Sequence, residues 1–146
     1  MTLSGKKALV TGAAGGIGQA IVRALTDAGA AIAATDIQLE GIPCDVAIPG
    51  DLTDSAHCDA LPAKTREALG GLDIVINNAG IMMWSRFDET DDLATADKVM
   101  RVNYLGSVYC TRYALPHLKK TGGRVVAIIS LAGITGVPTR SFYSAS

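Results

Sequence analysis

The chain contains few cysteines, which argues against two classes of protein. Only three of its 146 residues are cysteines, namely Cys44, Cys58 and Cys110, and none of them has Cys-x-x-Cys spacing. An odd number of cysteines without that spacing argues against a disulfide framework and against a zinc site. We therefore predict no metal site, and a reducing location such as the cytoplasm.

Charged residues are also scarce, at 18% of the chain, and the formal net charge is −1. The chain has no basic run that could contact DNA phosphates, so we expect no nucleic-acid partner. The longest apolar stretch, residues 125–137, is interrupted by glycine, serine and threonine. It is shorter than the roughly 20 residues of a membrane-spanning helix, so we expect no membrane partner.

Apolar residues are plentiful instead, at 49% of the chain, which excludes a disordered protein. The mean hydropathy of +0.29 is high for a soluble domain of this size. Either most elements are buried on both faces, or part of what should cover them is missing.

The hydrophobic pattern predicts strands that alternate with helices. Apolar runs predict strands over residues 7–11, 30–35, 46–50, 73–77 and 124–129. Spacings of three and four predict helices over residues 17–28, 54–69 and 95–120. Continuous apolar strands are typical of sheets covered on both faces, so we predict an α/β, doubly wound parallel sheet with five buried strands.

Glycine and proline refine these boundaries. Gly29 and Gly70 stand where helices commonly end. Pro62 predicts that the regular part of the second helix begins near residue 61, and Pro116 predicts a kink or an early end in the third.

Ligands of such sheets bind beyond the carboxyl ends of the strands. The polar residues expected at that edge are Thr11, Asp36, Asp51, Asn77, Asn78 and Ser130.

A glycine turn joins the first strand to the first helix. It reads Thr-Gly-x-x-x-Gly-x-Gly, with glycines at Gly12, Gly16 and Gly18. Bare backbone at a helix N-terminus can bind an anion such as the pyrophosphate of a dinucleotide. The alternative is a tight turn that serves only close packing.

Asp36 ends the second strand, 18 residues after Gly18. A carboxylate there can accept hydrogen bonds from the ribose hydroxyls of adenosine, and it would repel a 2′-phosphate. The neighbouring positions Gly15 and Ile37 carry no positive charge, so we predict NAD rather than NADP. The alternative is an exposed aspartate at a strand end.

These motifs, in this order, resemble the short-chain dehydrogenase/reductase family, classical type. The resemblance rests on the glycine turn, Asn77-Asn78-Ala79-Gly80, Asn103, Ser130 and Tyr143, with the last two 13 positions apart, and it extends over all 146 residues. It implies a single NAD(P)-binding domain with a Rossmann-like fold.

The resemblance also implies which residues contact the cofactor. Asp51 and Leu52 match the segment that contacts adenine. Asp51 and Asp54 also precede a helix, so Asp51 could be its N-cap as well, and the two roles are compatible. The implied set is Thr11, Gly12, Gly16, Ile17, Gly18, Asp36, Asp51, Leu52, Asn78, Ala79, Gly80 and Tyr143.

The implied reaction is hydride transfer between nicotinamide and a secondary alcohol or ketone. Tyr143 would be the acid/base, Ser130 would orient the substrate oxygen, and Asn103 would serve the proton relay from a locally bent helix. Without the resemblance, the three would read as a packed tyrosine, a turn serine and a surface asparagine. The family also implies a homo-oligomer, a dimer or tetramer, for the full-length protein.

The sequence departs from the family pattern in three places. The family places a catalytic lysine four residues after the tyrosine, and the chain stops at Ser146, one residue earlier. We therefore expect a fragment, incomplete on the C-terminal side of the sheet and poorly active by itself. Ile129 stands where the family often has serine, and the segment between Asp36 and Asp51 is short.

Two other functions remain open. A non-catalytic dinucleotide-binding protein, redox-sensing or structural, would keep the glycine turn and Asp36 without needing Asn103, Ser130 and Tyr143. An extended-family epimerase or dehydratase would have a Thr-Gly-x-x-Gly-x-x-Gly turn, which this chain lacks.

Overall fold

The computed structural model describes residues 2–90 and 92–146. These residues form one parallel five-stranded sheet in the order β3-β2-β1-β4-β5. The strands are β1 (Lys7–Thr11), β2 (Ala31–Thr35), β3 (Val46–Ala47), β4 (Ile74–Asn77) and β5 (Arg124–Ala127). The order reverses between β1 and β4, and this is where doubly wound sheets bind ligands. The predicted fold class is confirmed.

The helices connect the strands across both faces of the sheet. They are α1 (Gly16–Asp27), α2 (Ser55–Leu69), α3 (Ala94–Val99), α4 (Ser107–Thr121) and α5 (Ser141–Ala145). A π-helical segment, Met100–Gly106, joins α3 to α4, and short 3-10 turns cover Phe87–Glu89 and Leu131–Gly133. In the described part of the chain, no helix combines the length and apolarity needed to cross a bilayer.

Two hydrophobic clusters lie on opposite faces of the sheet. Leu9 and Val75 point to one face, where Cys110, Ala114 and Leu118 of α4 pack with residues of α2. Ala8, Val10 and Ile76 point to the other face, against Val22 of α1. Successive side chains of a strand alternate between faces, so a strand covered on both sides must be apolar throughout. This burial accounts for much of the high hydropathy.

β5 differs from the buried strand that the sequence predicts. It ends at Ala127 rather than Ile129, and all four of its residues are exposed. The strand pairs with β4 along one edge only, and among the described residues nothing pairs with its other edge. Ile129, just beyond it, is 80% exposed. Part of the remaining apolar content therefore lies along an open sheet edge.

The helix start predicted from Pro62 is wrong, and so is the early helix end predicted from Pro116. α2 is helical from Ser55, with Pro62 inside it, and α4 continues past Pro116 to Thr121. Each proline removes one backbone hydrogen bond. Pro62 is buried in the core, which offsets that loss, and Pro116 lies on an exposed face of α4. The endings at Gly29 and Gly70 are confirmed, and both glycines have positive φ.

Candidate active site

Two adjoining cavities lie at the carboxyl edge of the sheet. The first measures about 330 Å³, and the second about 1080 Å³. They share wall residues Ile17, Asn78, Ala79, Gly80 and Ile81. Of the residues predicted to contact a cofactor, all except Thr11 and Tyr143 line the first cavity. The second is lined by Asn103, Ser130 and Tyr143, so the structure brings these three residues together at one cavity.

The glycine turn serves both packing and exposure. A Cβ at Gly18 would overlap the carbonyl oxygen of Gly12, and one at Gly12 would lie 2.6 Å from the Cα of Ala79. Gly12 also has a φ of +62°, which suits glycine. In contrast, nothing lies within 4 Å of a Cβ built on Gly16. Tight packing therefore explains Gly12 and Gly18, and Gly16 leaves bare backbone facing the cavity.

The N-terminus of α1 is open to an anion. No side chain caps it, and the first backbone hydrogen bond into the helix runs from Gln19 N to Gly15 O at 2.8 Å. Amides of the first turn of a helix lack acceptors within the helix and carry the positive end of its dipole. Gly16 and Ile17, which belong to this turn, line the first cavity, so a phosphate group fits there.

Asp36 is a half-buried residue rather than an exposed strand end. Its two carboxylate oxygens accept hydrogen bonds from Ala14 N at 2.9 Å and Ile37 N at 2.7 Å. A carboxylate has about four lone-pair positions, so it can still accept hydrogen bonds from a ligand. The bond to Ala14 also ties the glycine turn to the end of β2, a role that the sequence did not reveal.

The helix cap before α2 is Asp54, which accepts a hydrogen bond from Ala56 N at 2.9 Å. Asp51 instead accepts one from Thr53 N at 2.8 Å and lines the first cavity beside Leu52. The capping alternative for Asp51 is therefore wrong. Its carboxylate is left at the cavity wall.

Thr11 supports the site from behind. It is buried and does not line either cavity. Its hydroxyl donates to Ile76 O and accepts from Asn78 N and Ala79 N, both at 3.0 Å. The side-chain Nδ2 of Asn78 in turn donates to Thr11 O and Gly12 O, both at 3.0 Å. Thr11 thus orders the wall that the two cavities share, although it lines neither cavity itself.

Asn103 lies within the π-helical segment, which agrees with the bent helix implied by the resemblance. Its Oδ1 accepts from Ile81 N at 2.8 Å, and its Nδ2 donates to Ile81 O at 3.0 Å and to Ser146 Oγ at 2.8 Å. These bonds offset the low helix propensity of asparagine. They join the shared wall to the segment that carries Tyr143.

Ser130 and Tyr143 face the second cavity from two short elements. Ser130 precedes the 3-10 turn after β5, and its Oγ accepts a hydrogen bond from Ala132 N at 3.2 Å. Tyr143 lies on α5 and is partly buried. The cavity thus brings together a hydroxyl, a phenol and an asparagine beside the glycine turn.

Comparison with known proteins identifies the family of this chain. The family model described as "short chain dehydrogenase" matches residues 6–146. The chain belongs to the short-chain dehydrogenase family.

Several relatives of this short-chain dehydrogenase carry specific names. It is 35% identical to 11-beta-hydroxysteroid dehydrogenase-like 6 of Arabidopsis thaliana, with 99% of this chain and 46% of that protein covered. It is 33% identical to 11-beta-hydroxysteroid dehydrogenase A of Arachis hypogaea, with 99% and 45% covered. The chain therefore spans about half the length of these relatives.

A solved structure shares the fold. A crystal structure described as that of a candidate short-chain alcohol dehydrogenase from Sinorhizobium meliloti superimposes with a TM-score of 0.92 and 36% identity. The alignment covers 99% of this chain and 62% of that one. The predicted family and the Rossmann-like fold are thus both confirmed.

The structure adds residues that sequence reasoning missed. Lys98 and Val102 line the first cavity of this short-chain dehydrogenase, and Ile81 lines both cavities. Lys98 and Val102 are four positions apart, which places them on one helix face. The spacing was visible in the sequence, but it did not show which face meets the cavity.

His57 was also missed. It lies behind the wall of the first cavity, where its Nε2 and the Thr35 hydroxyl are hydrogen-bonded at 3.2 Å. Burial lowers the pKa of His57, and the charge of Lys64 lowers it further, against the opposing effect of Asp54 and Asp51. The neutral imidazole is therefore favoured at this place.

Proposed function

We propose that this short-chain dehydrogenase catalyses NAD-dependent hydride transfer between a secondary alcohol and its ketone. The observation that best supports this proposal is that Asn103, Ser130 and Tyr143 line the second cavity, which shares a wall with the first. A dinucleotide-binding protein without catalysis would have no use for that second set of residues. The proposal treats residues 1–146 as one NAD(P)-binding domain.

The residues of the first cavity fit a dinucleotide. The open backbone at Gly16 and the uncapped N-terminus of α1 suit a pyrophosphate, and the Asp36 carboxylate suits the ribose hydroxyls of adenosine. The negative charge of Asp36 would repel a 2′-phosphate, which supports NAD over NADP. When bound, the nicotinamide supplies or accepts the hydride.

The chain's own residues handle the proton and the substrate oxygen. In the oxidation direction Tyr143 takes the proton of the alcohol hydroxyl, and Ser130 orients that oxygen by a hydrogen bond. Asn103 holds the neighbouring segment for proton relay. A phenol ordinarily ionises near pH 10, so the base needs nearby positive charge. The family resemblance assigns that charge to a lysine four residues beyond Tyr143.

An apolar substrate fits the second cavity best. Its walls include Val108, Leu115, Ile128 and Ile134. The relatives named as 11-beta-hydroxysteroid dehydrogenases support a bulky alicyclic alcohol or ketone as the class to test first. We further propose a cytoplasmic homo-oligomer, a dimer or tetramer, in keeping with three free cysteines.

The test is Tyr143→Phe in the full-length protein. Turnover of a panel of secondary alcohols with NAD should be lost, and NADH affinity, measured by fluorescence titration, should change less than about two-fold. Surviving turnover would refute the role of Tyr143. Dinucleotide binding by the unmodified protein without turnover of any panel member would favour the non-catalytic alternative.

A further inference from the structure

His57 lies close against the loop that follows β3. A Cβ built on Gly50 would overlap three atoms of the His57 ring, so the imidazole packs against the backbone of Gly50. Any larger residue at position 50 would displace either the ring or the loop. The next residue in that loop is Asp51, which lines the first cavity.

The same ring is also bound to the end of β2. The hydroxyl of Thr35 is hydrogen-bonded to His57 Nε2, and Thr35 is fully buried. Asp36 follows directly, and its carbonyl accepts a hydrogen bond from Gly50 N at 3.0 Å. The imidazole therefore braces two backbone segments that are themselves hydrogen-bonded to each other.

These segments form one wall of the first cavity. Thr35, Asp36, Gly50 and Asp51 all line the cavity, and His57 itself does not. The imidazole therefore reaches this wall only through Thr35 and Gly50, the residues that precede Asp36 and Asp51.

We propose that His57 is a positioning residue for the adenosine half of the dinucleotide site. The inference rests on the proposed function, because it assumes that the first cavity binds a dinucleotide. Loss of the ring loosens the wall formed by Asp36 and Asp51 and leaves the nicotinamide side intact, since that side is ordered by Thr11 and Asn103.

The test compares the two halves of the cofactor. Affinities for AMP and for nicotinamide mononucleotide are measured by calorimetry in the unmodified protein, in His57→Ala and in a control, His117→Ala. His117 is a partly buried histidine of α4 that lines neither cavity. In His57→Ala the Kd for AMP should rise about three- to ten-fold, the range for one lost hydrogen bond. The Kd for nicotinamide mononucleotide should change less than about two-fold, and the control should change neither.

A second pair of variants tests the contact itself. Gly50→Ala should weaken AMP binding, because the added methyl overlaps the ring, and it should have little further effect in the His57→Ala background. His57→Phe keeps a flat ring against Gly50 but loses the bond to Thr35, so it gives the answer if the alanine variant unfolds. It should lose AMP affinity without losing that for nicotinamide mononucleotide.

Three results would overturn the inference. These are unchanged AMP affinity in His57→Ala and His57→Phe, equal losses for both mononucleotides, and an effect of Gly50→Ala that does not depend on residue 57. If the unmodified protein binds neither AMP nor NADH, the proposed function fails and the inference fails with it.

Discussion

Replacement of Asp36 tests the cofactor assignment most directly. Its carboxylate is fixed by Ala14 N and Ile37 N and lines the first cavity. A hydrogen bond to a charged group is worth about 1.5–3 kcal/mol, so losing the ribose contact in Asp36→Ala should raise the Kd for NADH about ten- to one-hundred-fold. NADPH should lose less, or gain, because the repulsion of its 2′-phosphate disappears.

The assay must separate cofactor contact from loss of structure. Asp36→Ala also removes the bonds to Ala14 and Ile37, which lowers the free energy of unfolding by about 1–3 kcal/mol. Asp45→Ala is a matched control, because Asp45 accepts a hydrogen bond from Ile32 N at 2.7 Å but does not line the first cavity. Fluorescence titration with NADH and NADPH, beside thermal unfolding, measures both effects.

The decisive quantity is the ratio of the two affinities. Equal losses for NADH and NADPH in Asp36→Ala would refute the argument that the carboxylate selects NAD. A similar change of the ratio in Asp45→Ala would show that destabilisation alone alters selectivity.

Two further predictions concern pH and thiols. Burial lowers the pKa of both His57 and His117, so the folded state favours their neutral forms. The free energy of unfolding should therefore be highest above pH 6.5 and should decrease as the pH falls below that value, because the unfolded state then binds more protons. Urea unfolding at pH 7.5 and 5.5 should show this decrease, and a smaller decrease in His57→Phe/His117→Phe; an equal decrease would contradict it. Among the cysteines, Cys58 and Cys110 are buried and Cys44 is partly exposed, so a thiol reagent should label one thiol in the native protein and three after denaturation. Burial and the neighbouring Asp45 raise the pKa of Cys44, so even this labelling should be slow at neutral pH; rapid labelling of two or more thiols would contradict the buried placement.

The sequence was most informative where local chemistry and long-range packing agree. The strand Lys7–Thr11 and the helix end at Gly29 could be predicted from the sequence, because an apolar run and a glycine after a helical pattern are local signals. The alternation of strands with helices indicated a parallel sheet, but it left the order of the strands open. The polar residues that follow the strands lie at the carboxyl edge of the sheet, as predicted, because all the strands run in the same direction.

The errors arise where tertiary packing overrides a local preference. Pro62 ends no helix, because its ring is buried in the core, and α4 likewise continues past the exposed Pro116. The exposure of β5 depends on which elements pack beside the strand, and its apolar sequence does not reveal them. The bond from Ala14 to Asp36 and the packing of His57 on Gly50 join residues distant in sequence, so no periodicity could have revealed them.

The π-helical segment has a consequence for the tolerance of the chain to deletions. A π turn holds about one more residue than an α turn, so the extra residue is absorbed within a widened turn and α3 and α4 keep their register on either side of it. Deleting a single residue between Met100 and Gly106 would therefore let the helix become regular with Cys110, Ala114 and Leu118 still in the core. The same deletion would remove the widened turn in which Asn103 is bonded to Ile81, so the site would change while the packing of the helix is kept.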